Sequence, residues 1–236
     1  MTRAVLFDFG GTLYDYRCFA RAEAESLAQL VRWSGVDAPG EAVARAQRDA
    51  MKRVFEHYRE RPFYMHRDLF GDAARALVSH FGGSADPELF ERYRKLQWQL
   101  HARDFALRPR VRETLAELRA RGLHLGMVSN IDDDQLEHLL EIAGVRADFD
   151  AVLSSERARS CKPAPEIFEK ALASAGCAAE QALFVGDSLY HDIGGANALG
   201  MTSVLIWHRD DREPPGDGPK PQHVIHRFDQ LLELAR

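Results

Sequence analysis

Five residues able to do polar chemistry each stand just beyond a short apolar run. Asp8 follows VLF, Ser129 follows GMV, Lys162 lies in the loop after VLSSE, and Asp187 follows ALFVG with Asp192 five residues further on. A lone carboxylate after a buried strand can be nothing more than a helix N-cap. A hydroxyl, an ammonium and three carboxylates converging on one sheet edge would leave costly unbalanced charge unless a metal and an anion complete the set. The reaction that suits them is phosphoryl transfer, which asks for an in-line nucleophile and dense stabilisation of the equatorial oxygens. Asp8 is the candidate nucleophile, forming an aspartyl phosphate and splitting the reaction into two displacements. Mg²⁺ takes octahedral oxygen ligands from one or two carboxylates, phosphate and water, and Asp8 and Asp187 could supply the carboxylates, with Asp192 orienting them. Ser129 and the amides of the Gly10-Gly11 turn would hold phosphate oxygens, and Lys162 would neutralise both the phosphate and the nucleophile. Asn130, beside Ser129, is a candidate substrate contact.

The elements that must position these residues read as alternating strands and helices. Short apolar runs at Arg3–Asp8, Leu123–Ser129, Ala151–Ser154, Ala182–Gly186 and Thr202–Trp207 read as buried parallel strands. Helical patterns lie between them at Val111–Arg121, Asp133–Ile142, Pro165–Ala175 and Ile193–Leu199. This alternation predicts an α/β fold, a doubly wound Rossmann-like parallel sheet that binds ligands beyond the carboxyl ends of its strands. The segment from Asp15 to about Asp104 differs: it is rich in Ala, Arg, Glu, Leu and aromatics at helical spacing. It predicts an inserted all-helical cap, placing the core at 1–15 and 105–236 and the cap at 16–104. Arg209–Pro221, with Pro214-Pro215, Gly216 and Gly218, reads as a mobile loop before a last strand near Val224 and a helix at Asp229–Ala235. No internal repeat is visible.

Bulk properties narrow the function. The 236 residues carry a net charge of -5, so no positive field would draw the chain to nucleic acid or an anionic membrane, and a small molecule is the expected partner. Three cysteines without CxxC spacing (Cys18, Cys161, Cys177) fit a reducing compartment and are read as buried or incidental thiols. With no signal-like segment and no apolar run near the ~18 residues of a membrane span, the expected location is cytoplasmic.

The ordered set of motifs resembles the haloacid dehalogenase superfamily of phosphatases and dehalogenases. DFGGT from Asp8 to Thr12 corresponds to its first motif, SN at Ser129-Asn130 to the second, KPAPEIF from Lys162 to the third, and GDSLYHD from Gly186 to Asp192 to the fourth. The resemblance implies a Rossmann-like core with a helical cap of the first type. It implies phosphate binding by Gly11, Thr12, Ser129, Asn130 and Lys162, and metal ligation by Asp8, the Gly10 carbonyl, Asp187 and Asp192. The implied activity is Mg²⁺-dependent hydrolysis of a small phosphorylated metabolite, and helical caps of this kind can pair into homodimers.

One position departs from the pattern. Most phosphatases of the superfamily have a second aspartate two residues after the nucleophile, which exchanges protons with the leaving group and water; here it is Gly10. Glycine keeps its carbonyl but offers no carboxyl group, and general acid–base help is worth ~10² to 10⁴-fold. Asp15, Tyr14, His66 and His191 are candidate substitutes, as are a water chain and the substrate itself. Dehalogenases of the superfamily also lack this aspartate, so a 2-haloacid dehalogenase is the first competing reading, against which the paired carboxylates Asp187 and Asp192 argue. A non-catalytic binding module is the second. The aromatics Phe55, Tyr58, Phe63, Tyr64, Phe70 and Trp98 read chiefly as helix-packing residues of the cap, with one or two of Phe63, Tyr64 and His66 available to face substrate.

Overall fold

A computed structural model describes residues 1–84, 86–208 and 213–235. The chain divides into two compact units, one of Met1–Asp15 with Ala106–Arg236 and the other of Tyr16–Phe105.

The first unit is built on a six-stranded parallel sheet of order β3-β2-β1-β4-β5-β6. Its strands are β1 (Ala4–Phe7), β2 (His124–Ser129), β3 (Ala151–Ser154), β4 (Ala182–Gly186), β5 (Thr202–Ile206) and β6 (His223–Ile225). The central strand β1 pairs with both β2 and β4 and is buried at every residue, which is why it reads as an unbroken apolar run rather than an alternating one. One face carries Leu6, Val128, Ile167, Phe168, Phe184 and Met201 in a common core. Toward the other face, Phe7 stacks on Phe228 (5.7 Å) and meets Phe149 edge-on (6.0 Å).

The expected strand–helix alternation is present, with ends shifted by a residue or so. The expected helix at Ile193–Leu199 is instead one turn of π-helix over Leu189–Ile193 running into a short α-helix, Gly194–Ala198. The Ser188 hydroxyl caps that turn by accepting from the His191 amide, and the Ile193 amide reaches back to the Ser188 carbonyl. The expected helix at Asp229–Ala235 splits into a 3-10 turn, Phe228–Gln230, and a helical turn, Leu231–Leu234. Of the expected loop Arg209–Pro221, residues 209–212 lie outside the described residues.

The second unit is helical, with α1 (Ala20–Trp33), α2 (Gly40–Tyr58), α3 (His66–His80) and α4 (Pro87–Asp104). Leu30, Val31, Val43, Leu77, Val78 and Tyr93 form its core. Asp86 caps α4 by accepting from the Leu89 amide at 2.8 Å, with Pro87 in the first turn, where its missing N–H costs nothing. Tyr64 is buried edge-on against Tyr58 (5.3 Å), and its neighbour His66 opens α3. Among the described residues no helix is long and apolar enough to cross a membrane.

Candidate active site

Asp8 sits one residue past β1. Its amide still donates to the Val185 carbonyl (2.9 Å), so the ladder fixes its backbone before the chain turns away. The residue is 6% exposed, and its carboxylate receives three side-chain donors. Lys162 Nζ (2.7 Å) and Ser129 Oγ (3.2 Å) donate to Oδ1, and Thr12 Oγ1 (3.1 Å) donates to Oδ2. The buried Lys162 ammonium also donates to Asp192 Oδ1 at 2.7 Å and lies 5.3 Å from the centre of the Phe184 ring. Asp192 is anchored in turn, because its Oδ2 accepts from the Ser188 amide (3.0 Å).

Two glycines make room for this arrangement. A Cβ on Gly186 would stand 2.3 Å from the Asp192 carboxylate. One on Gly11, whose φ is +81°, would stand 2.1 Å from Asp187 Oδ2, so any side chain there meets both backbone strain and a clash. One oxygen from each of Asp8, Asp187 and Asp192 lies within 4.8 Å of the others.

The electrostatics follow from burial and from the count of charges. Burial drives the Asp8 carboxyl up and Asp192 adds to the effect, while Lys162 opposes it; the net direction is upward. Asp187 is pushed up to about 8, first by burial and then by the negative charges of Asp8 and Asp192, against Lys162 and Arg108. For Lys162, burial alone would lower its basicity, but the Asp192 and Asp8 carboxylates outweigh it and the ammonium is held charged. Three carboxylates thus face one buried ammonium, and the surplus negative charge is of the kind a hard divalent cation balances. An all-oxygen donor set at this spacing fits such an ion.

The other residues singled out by sequence fall into place differently. Asn130 turns both ends of its amide onto the Lys162 backbone: Nδ2 donates to the carbonyl (2.9 Å) and Oδ1 accepts from the amide (2.7 Å). Its observed bonds hold the lysine loop, where the sequence reading has it touching substrate. Thr12 is fully buried, and its hydroxyl donates to the nucleophile candidate. Among the candidate proton donors, Asp15 is paired with Arg108 (3.2 Å), Tyr14 is buried edge-on against Phe9 (5.2 Å), and His66 belongs to the helical unit. His191 Nδ1 lies 3.3 Å from Ser188 Oγ, and burial, followed by the Lys162 charge, pulls its pKa down to about 4, leaving the ring neutral. Cys161 is buried, whereas Cys18 and Cys177 are half-buried.

Arg108 was not singled out by the sequence reading. Its guanidinium donates to the carbonyls of Gly11 (2.6 Å) and Thr12 (3.1 Å) and to Asp15 Oδ2 (3.2 Å). No local pattern announces it, because its partners are nearly a hundred residues away in sequence.

A doubly wound parallel sheet with a lysine-bridged pair of aspartates at its carboxyl edge defines the class, a Rossmann-like enzyme with an aspartate-centred site. Residues 2–200 match the family model of the haloacid dehalogenase-like hydrolases, and the chain belongs to that family. It is 30% identical to the ribulose-1,5-bisphosphate 5-phosphatase of Halopiger xanaduensis over 100% of this chain and 98% of that one. It is 32% identical to the glyceraldehyde 3-phosphate phosphatase of Methanopyrus kandleri, again over 100% and 98%. Among solved structures it resembles the L-2-haloacid dehalogenase RSc1362, with a TM-score of 0.73 and 27% identity over 99% of this chain and 98% of that one.

Proposed function

We propose that the protein is a Mg²⁺-dependent phosphatase that hydrolyses the phosphate monoester of a small metabolite through an aspartyl phosphate on Asp8. The observation that carries this is the three-carboxylate cluster with a single buried lysine. A nucleophile that shares a cation site with two further carboxylates suits a phosphorylated substrate, whose negative oxygens need that cation. The full-length phosphatase relatives support the same class of reaction.

In this reading Asp8, the Gly10 carbonyl, Asp187 and Asp192 would hold the magnesium ion. When bound, it would supply Lewis-acid polarisation of the phosphoryl oxygens. Asp8 attacks phosphorus through Oδ2, which accepts from Thr12 Oγ1, while Lys162 and Ser129 hold Oδ1. Thr12, Ser129 and Lys162 hold the carboxylate in one rotamer, so little reorganisation remains at the moment of attack. Lys162 carries its positive charge between nucleophile and phosphate, and Asn130 keeps that lysine's backbone in place. The amides of the Gly10–Thr12 turn offer donors to the phosphate. With glycine at position 10 the leaving group lacks the usual carboxyl donor, so esters with good leaving groups are expected to turn over fastest.

A dehalogenase is the second reading, favoured by Gly10 and by the likeness to RSc1362. One assay separates them: phosphate release from a panel of phosphorylated metabolites with MgCl₂ or EDTA, beside chloride release from a 2-haloacid. Mg²⁺-dependent phosphate release without chloride release is the expected result. Metal-independent chloride release would overturn the proposal.

A further inference from the structure

We propose that Arg108 is a positioning residue for the nucleophile loop, setting the register of the Gly10–Thr12 turn against Asp8 and Asp187. The inference deepens the phosphatase reading and rests on it for its kinetic consequence.

Arg108 lies where the chain re-enters the first unit after the helical one, and Asp15 is the last residue before the chain leaves. Main-chain bonds already join the two crossings: the Arg108 amide donates to the Leu13 carbonyl at 2.9 Å, and Tyr14 forms an antiparallel bridge with Leu107. The guanidinium, 12% exposed, then reaches past this joint into the turn itself. It holds two successive carbonyls, Gly11 at 2.6 Å and Thr12 at 3.1 Å, while Asp15 at 3.2 Å fixes the guanidinium from the far side.

The two carbonyls belong to the residues on which the geometry depends. Gly11 is so close to Asp187 that a Cβ would overlap its carboxylate, and Thr12 donates its hydroxyl to Asp8 Oδ2. A trans peptide points its N–H opposite to its C=O, so pinning the Gly11 carbonyl also fixes the direction of the Thr12 amide. A glycine pair supplies no side-chain restraint of its own, so the order of this turn has to come from outside it. Arginine suits the task because a planar fork can meet two carbonyls and a carboxylate at once, whereas a lysine is a single point of charge on a flexible stem.

The test compares wild type with Arg108→Ala and Arg108→Lys. It measures kcat and KM for p-nitrophenyl phosphate with MgCl₂, and amide hydrogen exchange in a peptide covering residues 9–15. Arg108→Ala is expected to lower kcat by about 10- to 100-fold, in line with the ~10²-fold cost of misplacing reacting groups by ~1 Å, with KM changed far less. Exchange in the loop peptide should rise, and millimolar guanidinium should recover part of the lost kcat. Arg108→Lys keeps the charge and should stay close to the alanine variant; being a milder change, it also covers the event that Arg108→Ala does not fold. Loop exchange unchanged in either folded variant overturns the inference. So does a loss confined to KM, which would make Arg108 a substrate contact, or full activity in the lysine variant. A wild-type protein that releases no phosphate would strike the phosphatase reading instead, while the exchange measurement would still decide the role of Arg108.

Discussion

Replacing Lys162 by Met tests the charge arrangement most sharply. The ammonium is 2.7 Å from both Asp8 Oδ1 and Asp192 Oδ1, and the three side chains are almost completely buried. Removing it leaves two buried carboxylates without their shared counter-ion, and breaking a buried pair in this way costs ~3–5 kcal/mol. For a protein of this size each kcal/mol moves the melting temperature by about 2–4 °C, so the metal-free variant should melt about 6–20 °C below wild type. Differential scanning fluorimetry in EDTA measures this directly. Saturating MgCl₂ should recover part of the loss, because the cation replaces some of the missing positive charge. Adding Asp192→Asn in the Lys162→Met background should also raise the melting temperature, since it removes one of the orphaned charges. If metal-free Lys162→Met melts within about 2 °C of wild type, on the same conversion, the carboxylates are not held by the lysine and the electrostatic account of the site is wrong.

Two other outcomes are expected. Gly10→Asp should raise turnover of slow-leaving alkyl phosphates more than that of an aryl phosphate, up to the ~10²-fold lower end of general-acid effects, and equal effects on both would sink the idea. The metal-free protein should also lose stability as pH rises. Asp187 is shifted from 3.8 to about 8, so its protonated form is favoured by folding; that contribution is complete below the lower value and is lost as pH climbs through the upper one. Thermal melts in EDTA across that window should fall with pH and flatten when MgCl₂ is present, whereas a rise with pH would contradict the burial argument.

The sheet was legible because its inner strands β1, β2, β4 and β5 are buried on both faces and so appear as unbroken apolar runs between turn residues. β3 and β4 were read to the residue, and β1 to within one at either end. The chemical residues were legible for a related reason: in a doubly wound sheet each strand's carboxyl end marks the same edge, so order along the chain predicts convergence in space. Local pattern failed where side chains reach across the sequence. The bonds of the Asn130 amide to the Lys162 backbone could not be read from its place beside Ser129, and Arg108 holds a turn from the far side of a ninety-residue insertion. The π-helical turn at Leu189–Ile193 escaped for a similar reason. Within it Asp192 is bonded by a lysine on another loop, a contact that periodicity along the chain does not register.

The most direct test of Asp8 is to find the phosphoryl group on it. Wild-type protein mixed with an excess of a substrate phosphate and MgCl₂, quenched in acid within milliseconds and digested with pepsin, should give a peptide spanning Asp8 that is heavier by one phosphoryl group. The adduct should be absent in EDTA and in Asp8→Asn, which should also lose turnover. Undiminished phosphate release by Asp8→Asn, or a phosphoryl group found on a different residue, would contradict the account.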